Sequence, residues 1–279
     1  MPKIPQRIIH DYLRHDKKFP HVWCSGCSNG IVLGAVIRAI DELKLDRDNI
    51  VMVSGIGCSS RMPVYVDFNT LHTLHGRAIS YATGVKMYKP GMKVIVITGD
   101  GDSTAIGGNH LIHAARRNLD LTVIVLNNNI YGMTGGQFSP TTPEGDTATT
   151  APYGNIDTNF DICKLVIGAG ASHVARSTAF HAMELQGQIK DALTHDGFSL
   201  VEAICACPVI YGKLNKKGTP AKMMMDMRDN TIPIKAAAKM KPEQVAGKTL
   251  RGTFVKDDRI EYSKAYQKVI DYAQGKDVK

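Results

Sequence analysis

The sequence predicts an α/β fold in which a parallel sheet of about five to six strands carries helices on both faces. Three observations lead to this prediction. Short runs of Val, Ile and Leu recur along the chain, amphipathic segments lie between them, and Gly, Asp, Asn or Cys follows several runs directly. Strands buried on both faces produce such continuous apolar runs, whereas a half-exposed strand alternates apolar and polar residues.

The individual elements follow from these patterns in chain order. The apolar runs predict strands near residues 50–53, 93–98, 121–126, 171–174 and 199–204. The amphipathic segments predict helices near residues 31–43, 78–88, 108–117, 160–166 and 179–192. Together they define one α/β domain over residues 22–212.

The segments outside this pattern have other compositions. Residues 1–21 are basic and predict an N-terminal arm, and residues 137–153, dense in Thr, Pro and Gly, predict a long loop beside the site. Residues 213–279 carry many lysines and little periodicity. We expect a C-terminal arm or tail lying on a partner subunit and ending in a short helix near residues 260–273.

Composition limits the class of protein. The chain has 279 residues, 43% of them hydrophobic, and a net charge of +8. No apolar run approaches the roughly 18–20 residues that span a bilayer, and the N-terminus does not resemble a signal peptide, so we expect a cytoplasmic protein. The positive charge admits nucleic-acid binding, but the lysines lack aromatic interleaving. A basic surface that steers an acidic protein partner is as consistent with the charge as nucleic-acid binding, and a solvated surface is the commonest explanation.

Asp100 and Asn128 are the most informative pair of residues. Asp100 lies in Gly99-Asp100-Gly101-Asp102 after one strand run, and Asn128 follows the next run. A strand, a crossover helix and a second strand bring the two tips together. Their oxygens suit Mg²⁺, which takes about six oxygen ligands and often holds a phosphate group. An ordinary turn and helix cap remains the alternative interpretation.

Other phosphate-binding motifs are incomplete or missing. The chain contains no GxxxxGK[ST] motif, and the glycine pairs at 55/57 and 99/101 lack the third glycine of a dinucleotide fingerprint. Gly132, Met133 and Thr134 follow the Asn-rich turn directly. A glycine-rich loop with a threonine hydroxyl suits oxyanions, which favours a diphosphate at this place.

Four of the six cysteines occupy informative positions. Cys24 and Cys27 form a CxxC before a helix, and Cys58 and Cys207 each follow a strand run. In a parallel sheet the carboxyl ends of the strands share one edge, where ligands bind. Four thiolates would hold a [4Fe–4S] cluster or Zn²⁺, and a single CxxC with two remote cysteines favours the cluster.

A CxxC without redox activity, with buried thiols elsewhere, is the alternative for these four. Cys163 and Cys205 are interpreted as core or near-core residues. Cys205 is the closest competitor to Cys207 as the fourth ligand.

Several motifs in a fixed order resemble one family. The matching runs lie at residues 23–27, 55–61, 74–78, 99–113, 128–137, 139–142 and 207–208. Together they resemble the β subunit of 2-oxoacid:ferredoxin oxidoreductases, the thiamine-diphosphate-binding subunit, over roughly residues 20–215. Residues 107–118 and 211–216 are most similar to the 2-oxoglutarate branch, although Lys213-Leu214-Asn215 stands where that branch often has Arg-Arg-Asn.

The resemblance implies the diphosphate-binding half of a thiamine-diphosphate-binding fold and a set of site residues. Asp100, Asn128 and the carbonyl of Ile130 would bind Mg²⁺. Cys24, Cys27, Cys58 and Cys207 would bind one [4Fe–4S] cluster. The residues implied to contact the thiamine cofactor are Gly57, Cys58, Ser59, His75, Gly99, Asp100, Gly101, Asp102, Asn128, Ile130, Gly132, Met133 and Thr134.

Two of the implied roles are catalytic. His75 would lie close to the cofactor, with a capping or core histidine as the alternative. Arg77 would pair with a substrate carboxylate, with a structural acid as the alternative partner.

The resemblance also implies a reaction. A 2-oxoacid, with 2-oxoglutarate as the best guess, would be oxidatively decarboxylated to its acyl-CoA, and electrons would pass through the cluster to ferredoxin, or in reverse for CO₂ fixation. By this resemblance the chain supplies only the diphosphate-binding half of a thiamine site, so we expect an α subunit in a heterodimer or (αβ)₂ heterotetramer. Pyruvate or a branched-chain 2-oxoacid is the alternative substrate, and a zinc-stabilised nucleic-acid-binding module is a distant alternative function. We expect neither nucleic acid nor a membrane as a partner.

Overall fold

The computed structural model of the chain describes residues 5–16 and 20–276. Within these ranges an eight-stranded sheet forms the centre of the molecule. The strands are β1 (Ile50–Ser54), β2 (Asn69–His72), β3 (Lys93–Gly99), β4 (Thr122–Asn127), β5 (His173–Thr178), β6 (Ser199–Ile204), β7 (Thr231–Pro233) and β8 (Thr249–Lys256). Their order across the sheet is β2-β1-β3-β4-β6-β5-β8-β7.

Helices cover both faces of this sheet. They are α1 (Pro5–Asp11), α2 (Asn29–Glu42), α3 (Ala78–Tyr88), α4 (Gly108–Arg117), α5 (Ile162–Gly168), α6 (Ala182–Thr194), α7 (Pro220–Asp229), α8 (Ile234–Ala237), α9 (Pro242–Val245) and α10 (Tyr262–Ala273). The predicted α/β fold class is therefore confirmed, and α3 and α4 have the predicted bounds.

The apolar strand runs supply two cores, one on each face. In β3, Ile95 and Ile97 belong to the core covered by α2 and α6. Val94 and Val96 belong to the core on the opposite face, which α3, α4 and α5 cover. Successive side chains of a strand point to opposite faces, so a strand buried on both sides needs an apolar residue at every position.

The register places the functional segments at one edge. β1, β3, β4, β6 and β5 pair in parallel, as predicted. β1 ends at Ser54, β3 at Gly99, β4 at Asn127 and β6 at Ile204. The segments that follow these four strands therefore meet at the carboxyl edge of the sheet.

The predicted number of five to six strands is too low. β2, β7 and β8 were not predicted, and β8 pairs antiparallel with β5. These strands carry partly exposed or polar residues, as in the Asn69–His72 strand. Outer strands of a sheet do not need continuous apolar runs, which explains why the sequence pattern missed them.

The two predicted arms pack more closely on the domain than expected. Of residues 1–21, the described part contains α1 and the buried side chains of Tyr12 and Leu13, while residues 1–4 and 17–19 lie outside the described ranges. Of residues 213–279, β7 and β8 extend the sheet, and α10 corresponds to the predicted terminal helix. That this segment lies on a partner subunit stays a prediction.

Among the helices of the described ranges, none combines the length and the apolar character that crossing a membrane requires.

Candidate active site

Every residue predicted to bind the thiamine cofactor lines one cavity at the carboxyl edge of the sheet. The cavity walls come from the segments after β1, β3 and β4, together with His75 from the turn after β2. Sequence reasoning missed four further lining residues, Asn29, Ile56, Leu126 and Tyr131. Tertiary structure therefore gathers all the predicted contacts at one place.

The carboxylate of Asp100 is held in a polar, buried environment. Its side chain is buried, and the hydroxyls of Ser139 and Thr141 each donate a hydrogen bond of 2.6 Å to Oδ2. Burial raises the pKa of Asp100, and the two hydroxyl donors together with backbone amides oppose that rise. A buried carboxylate is costly unless a cation or several donors stabilise it, so this position suits a metal ligand.

The turn after β4 presents the second predicted metal ligand. The backbone N–H of Ile130 donates to Oδ1 of Asn128 at 3.2 Å, and Asn129 has a φ of 62°. Asparagine tolerates this left-handed conformation better than most residues. Asn128 and Ile130 line the same cavity as Asp100, so the donor set of a carboxylate, an amide and a carbonyl fits Mg²⁺.

A chain of polar contacts connects Asp100 through Thr141 to more distant buried residues. Oγ1 of Thr141 also lies 3.0 Å from Oδ1 of Asn127, whose Nδ2 donates to Glu202 at 2.8 Å. Glu202 in turn accepts from Nε of Arg176 at 2.7 Å. Ser139 and Thr141 lie in the predicted long loop, and their only sequence signal was a match to the family runs. Their hydroxyls fix the orientation of the Asp100 carboxylate.

The side chain of Asp102, which also lines the cavity, makes several hydrogen bonds to neighbouring residues. Its side chain is buried and its Oδ1 accepts from the backbone N–H of Gly76 at 2.6 Å and lies 2.5 Å from Nδ1 of His75. Oδ2 accepts from the Thr98 hydroxyl at 2.9 Å. The carboxylate therefore orients the imidazole of His75 through Nδ1. The other ring nitrogen, Nε2, is then the atom through which this histidine would act as an acid or a base.

Gly101 is required by the close approach of an aromatic ring. A Cβ at this position would lie 2.3 Å from the Tyr131 ring, whose hydroxyl donates to the carbonyl of Gly101 at 3.0 Å. Burial, with the charges of Asp100 and Asp102, raises the pKa of Tyr131 to about 12. The tyrosine therefore stays protonated and holds the two turns of the cavity together.

Arg77 does not line the cavity. Its Nη1 donates to the carbonyl of Ile106 at 3.1 Å and lies 3.0 Å from Nε2 of His110. These contacts attach the start of α3 to the start of α4. The predicted pairing of Arg77 with a substrate carboxylate stays a prediction.

A second cavity, of about 300 Å³, adjoins the first and is lined by all four predicted cluster cysteines. Cys24 is exposed, and Cys27, Cys58 and Cys207 are half-buried. Gly132 lies between the two cavities, and a Cβ there would come within 3.5 Å of Sγ of Cys207. The segment after β1, the segment after β6 and the loop before α2 thus bring together cysteines that are remote in sequence.

Burial affects the ionisation of these thiols. It raises the pKa of Cys27 and of Cys58 to about 11, and the neighbouring cysteines add to the rise. The thiols are therefore protonated at neutral pH until a metal displaces the protons.

The remaining two cysteines lie elsewhere. Cys205 is buried, and its Sγ contacts the carbonyl of Ala203 at 3.3 Å. Cys163 is buried on α5, and its Sγ contacts Glu202 at 3.3 Å. Neither lines the cysteine cavity, so Cys207 rather than Cys205 faces the other three.

The four sulfur atoms of the cysteine cavity do not form a compact group of ligand atoms in the described part of the chain. Among the described residues, Asp161, Cys163 and Glu202 are the only three potential metal ligands whose atoms all lie within 4.8 Å of one another. In a tetrahedral zinc site with Zn–S bonds of about 2.3 Å, neighbouring sulfurs lie about 3.8 Å apart.

Comparisons with known proteins assign the family. Residues 55–203 match the thiamine pyrophosphate enzyme, C-terminal TPP binding domain. The chain is 51% identical over 265 residues to the 2-oxoglutarate synthase subunit KorB of Methanothermobacter marburgensis, covering 95% of this chain and 93% of that protein. It is 40% identical over 231 residues to the 2-oxoacid:ferredoxin oxidoreductase subunit beta of a Sulfolobus species, covering 82% of this chain and 75% of that protein. The chain belongs to the β-subunit family of 2-oxoacid:ferredoxin oxidoreductases.

A solved structure supports the same placement of this β subunit. The 2-oxoglutarate:ferredoxin oxidoreductase from Magnetococcus marinus, which has 2-oxoglutarate, coenzyme A and succinyl-CoA bound, matches with a TM-score of 0.84 and 35% identity. The match covers 97% of this chain and 91% of that chain. The chain is thus part of an oxidoreductase and carries a thiamine-diphosphate-binding domain, and the name 'subunit beta' of its relatives implies an α partner.

Proposed function

We propose that this β subunit holds thiamine diphosphate through Mg²⁺ beside a [4Fe–4S] cluster. With its α subunit, in an (αβ)₂ assembly, it would convert 2-oxoglutarate and coenzyme A to succinyl-CoA and CO₂. Electrons would leave to ferredoxin, and a strongly reducing ferredoxin would drive the reverse carboxylation. The observation that carries this proposal is the shared wall of the two cavities, formed by Cys58, Asn128, Gly132 and Met133.

The shared wall matters because electrons must move over a short distance. When bound, thiamine diphosphate supplies the carbon nucleophile that permits loss of CO₂, and an iron–sulfur cluster supplies a one-electron acceptor. The chain's own residues place the two sites side by side, with Gly132 keeping the wall thin because it has no side chain.

The oxygen side of the site would anchor the diphosphate. Asp100, Asn128 and the Ile130 carbonyl supply the donor set, and Ser139 with Thr141 keep the carboxylate oriented. Thr134 and the amides near Gly101 would complete the anion contacts. His75, oriented by Asp102, would hold or transfer a proton through its Nε2.

The choice of 2-oxoglutarate rests on the names of the relatives rather than on a contact in this chain. Lys213-Leu214-Asn215 departs from the family pattern, yet Asn215 has a clear structural role. Its Oδ1 accepts from the backbone N–H of Thr147 at 2.7 Å, and its Nδ2 donates to the carbonyl of Thr147 at 3.0 Å. The segment 213–215 therefore stabilises the long loop of residues 137–153.

The test is a comparison of substrates on the reconstituted αβ complex under anaerobic conditions. Coenzyme A-dependent reduction of a viologen dye should be faster with 2-oxoglutarate than with pyruvate or a branched-chain 2-oxoacid. The β subunit alone should be inactive. Preferential oxidation of pyruvate would show that pyruvate, not 2-oxoglutarate, is the substrate. Activity of the isolated β subunit at the rate of the complex would contradict the need for a partner.

The cluster is tested separately by metal analysis and EPR. The purified protein should be brown, contain about four irons per chain, and lose its absorption near 400 nm on dithionite reduction, as expected for one cubane. A colourless protein that contains zinc would overturn the cluster assignment and leave the thiamine site alone.

A further inference from the structure

We propose that the side-chain amide of Asn29 donates a hydrogen bond to a diphosphate oxygen of the bound cofactor, and so makes the N-terminus of α2 part of the anion site. This inference deepens the proposed function and rests on it. It adds a contact from the cysteine loop to a site otherwise built from the segments after β1, β3 and β4.

The first observation is a buried donor without a partner. Asn29 is 1% exposed, and its Nδ2 has no hydrogen-bond partner among the described residues. The same residue lines the cavity that contains Asp100 and Asn128. A buried amide loses free energy unless it meets an acceptor, so an acceptor on the bound cofactor is the simplest partner.

The second observation is the position of Asn29 in its helix. It is the first residue of the 14-residue helix α2, and Ser28 before it makes no side-chain cap. The Ser28 hydroxyl instead accepts from the backbone N–H of Ala206 at 2.9 Å. The dipole at this helix start favours an anion.

The third observation links Asn29 to the cysteine cavity. The backbone N–H of Asn29 donates a hydrogen bond to the sulfur of Cys27. The backbone of Asn29 therefore contacts a cysteine of one cavity while its side chain lines the other. One residue thus serves as a positioning contact for both groups.

Binding of thiamine diphosphate and of inorganic pyrophosphate, each with Mg²⁺, to the cofactor-depleted αβ complex tests the proposal by calorimetry. Asn29→Leu keeps the volume and removes the donor, and we expect about tenfold or greater weakening for both ligands, as for a lost hydrogen bond to a charged group. Asn29→Asp should weaken both further, because it places a carboxylate against the diphosphate.

The matched control is Ser28→Ala, which removes a buried polar group from the same loop without changing the cavity lining. It should leave both affinities within about twofold, and the iron content of all three variants should stay that of the wild type. An equal loss of affinity in Ser28→Ala would show that disturbance of this loop, rather than loss of the Asn29 hydrogen bond, weakens binding. That result would overturn the proposal.

Other outcomes separate the alternatives. If Asn29→Leu weakens thiamine diphosphate but not pyrophosphate, the amide contacts another part of the cofactor and the diphosphate assignment is wrong. Unchanged affinity for both ligands also overturns it. Failure of the wild-type complex to bind thiamine diphosphate at all would instead contradict the proposed function.

Discussion

The oxygen-rich and the sulfur-rich halves of the site differ in how the protein holds their side chains. Asp100 lies at the tip of a central strand, and two hydroxyl donors hold its carboxylate. Cys24 is exposed, and Cys27 and Cys58 have raised pKa values without a charged donor set around them. The first half is therefore organised by the protein's own hydrogen bonds, whereas a metal that binds the second half would have to displace protons from its thiols.

The largest expected effect comes from removing the charge of Asp100. Asp100→Asn keeps the shape of the side chain but removes the anionic ligand, so Mg²⁺-dependent binding of thiamine diphosphate should weaken by about a hundredfold or more. Calorimetry of the complex measures this affinity. Iron content should not change, because the cysteines lie in the adjoining cavity. Loss of iron in this variant would contradict the independence of the two halves.

Replacing a cluster ligand should have the converse effect. Cys207→Ser should lower the iron content and abolish the cluster EPR signal, while thiamine diphosphate still binds with Mg²⁺. Cys205→Ala is the matched control, since Cys205 lies two residues before Cys207, does not line the cysteine cavity, and has its Sγ 3.3 Å from the carbonyl of Ala203. If Cys205→Ala loses iron and Cys207→Ser retains it, Cys205 rather than Cys207 is the fourth cluster ligand.

A smaller effect is expected from the hydroxyls that orient Asp100. Thr141→Val removes one donor to the carboxylate, so the apparent affinity for Mg²⁺ should fall about tenfold. Thr104→Val is the control, because Thr104 donates to the backbone carbonyl of Asp100 at 2.6 Å rather than to its side chain. Magnesium titration at saturating thiamine diphosphate distinguishes them. Equal losses of Mg²⁺ affinity in the two variants would indicate that the backbone conformation after Asp100, not the hydroxyl donor to its carboxylate, determines the position of this ligand.

The smallest effect concerns the pH dependence of the metal-free chain. Burial raises the pKa of Cys27 and Cys58 from 9.0 to about 11, so the folded chain holds protons that the unfolded chain releases. Their contribution to the free energy of unfolding is present below pH 9 and is lost as the pH rises to about 11. Urea unfolding of the metal-free chain at pH 8 to 11 should detect this decline. The Cys27→Ser/Cys58→Ser variant should show a shallower one, and an unchanged slope would contradict the burial of these thiols.

Sequence pattern was sufficient for the central fold. Continuous apolar runs determined the central strands and the two-faced core, because a buried strand needs an apolar residue at every position. β2, β7 and β8 were missed because outer strands do not need such runs, and the lysine-rich segment after residue 212 concealed two of them. Bounds of helices such as α3 were predictable because their periodicity was regular.

By itself, the sequence determined which residue types follow which strands: Asp100 after β3, Asn128 after β4, Cys58 and Cys207 after two others. Parallel pairing brings such segments to one edge, so their grouping was predictable. Only the tertiary structure decided what meets them from distant segments. Ser139 and Thr141, from a long loop, donate hydrogen bonds to Asp100. Asp102 contacts His75, and Asn29 of α2 lines the cavity. These contacts depend on three-dimensional packing between separate loops, which local patterns of residues do not encode.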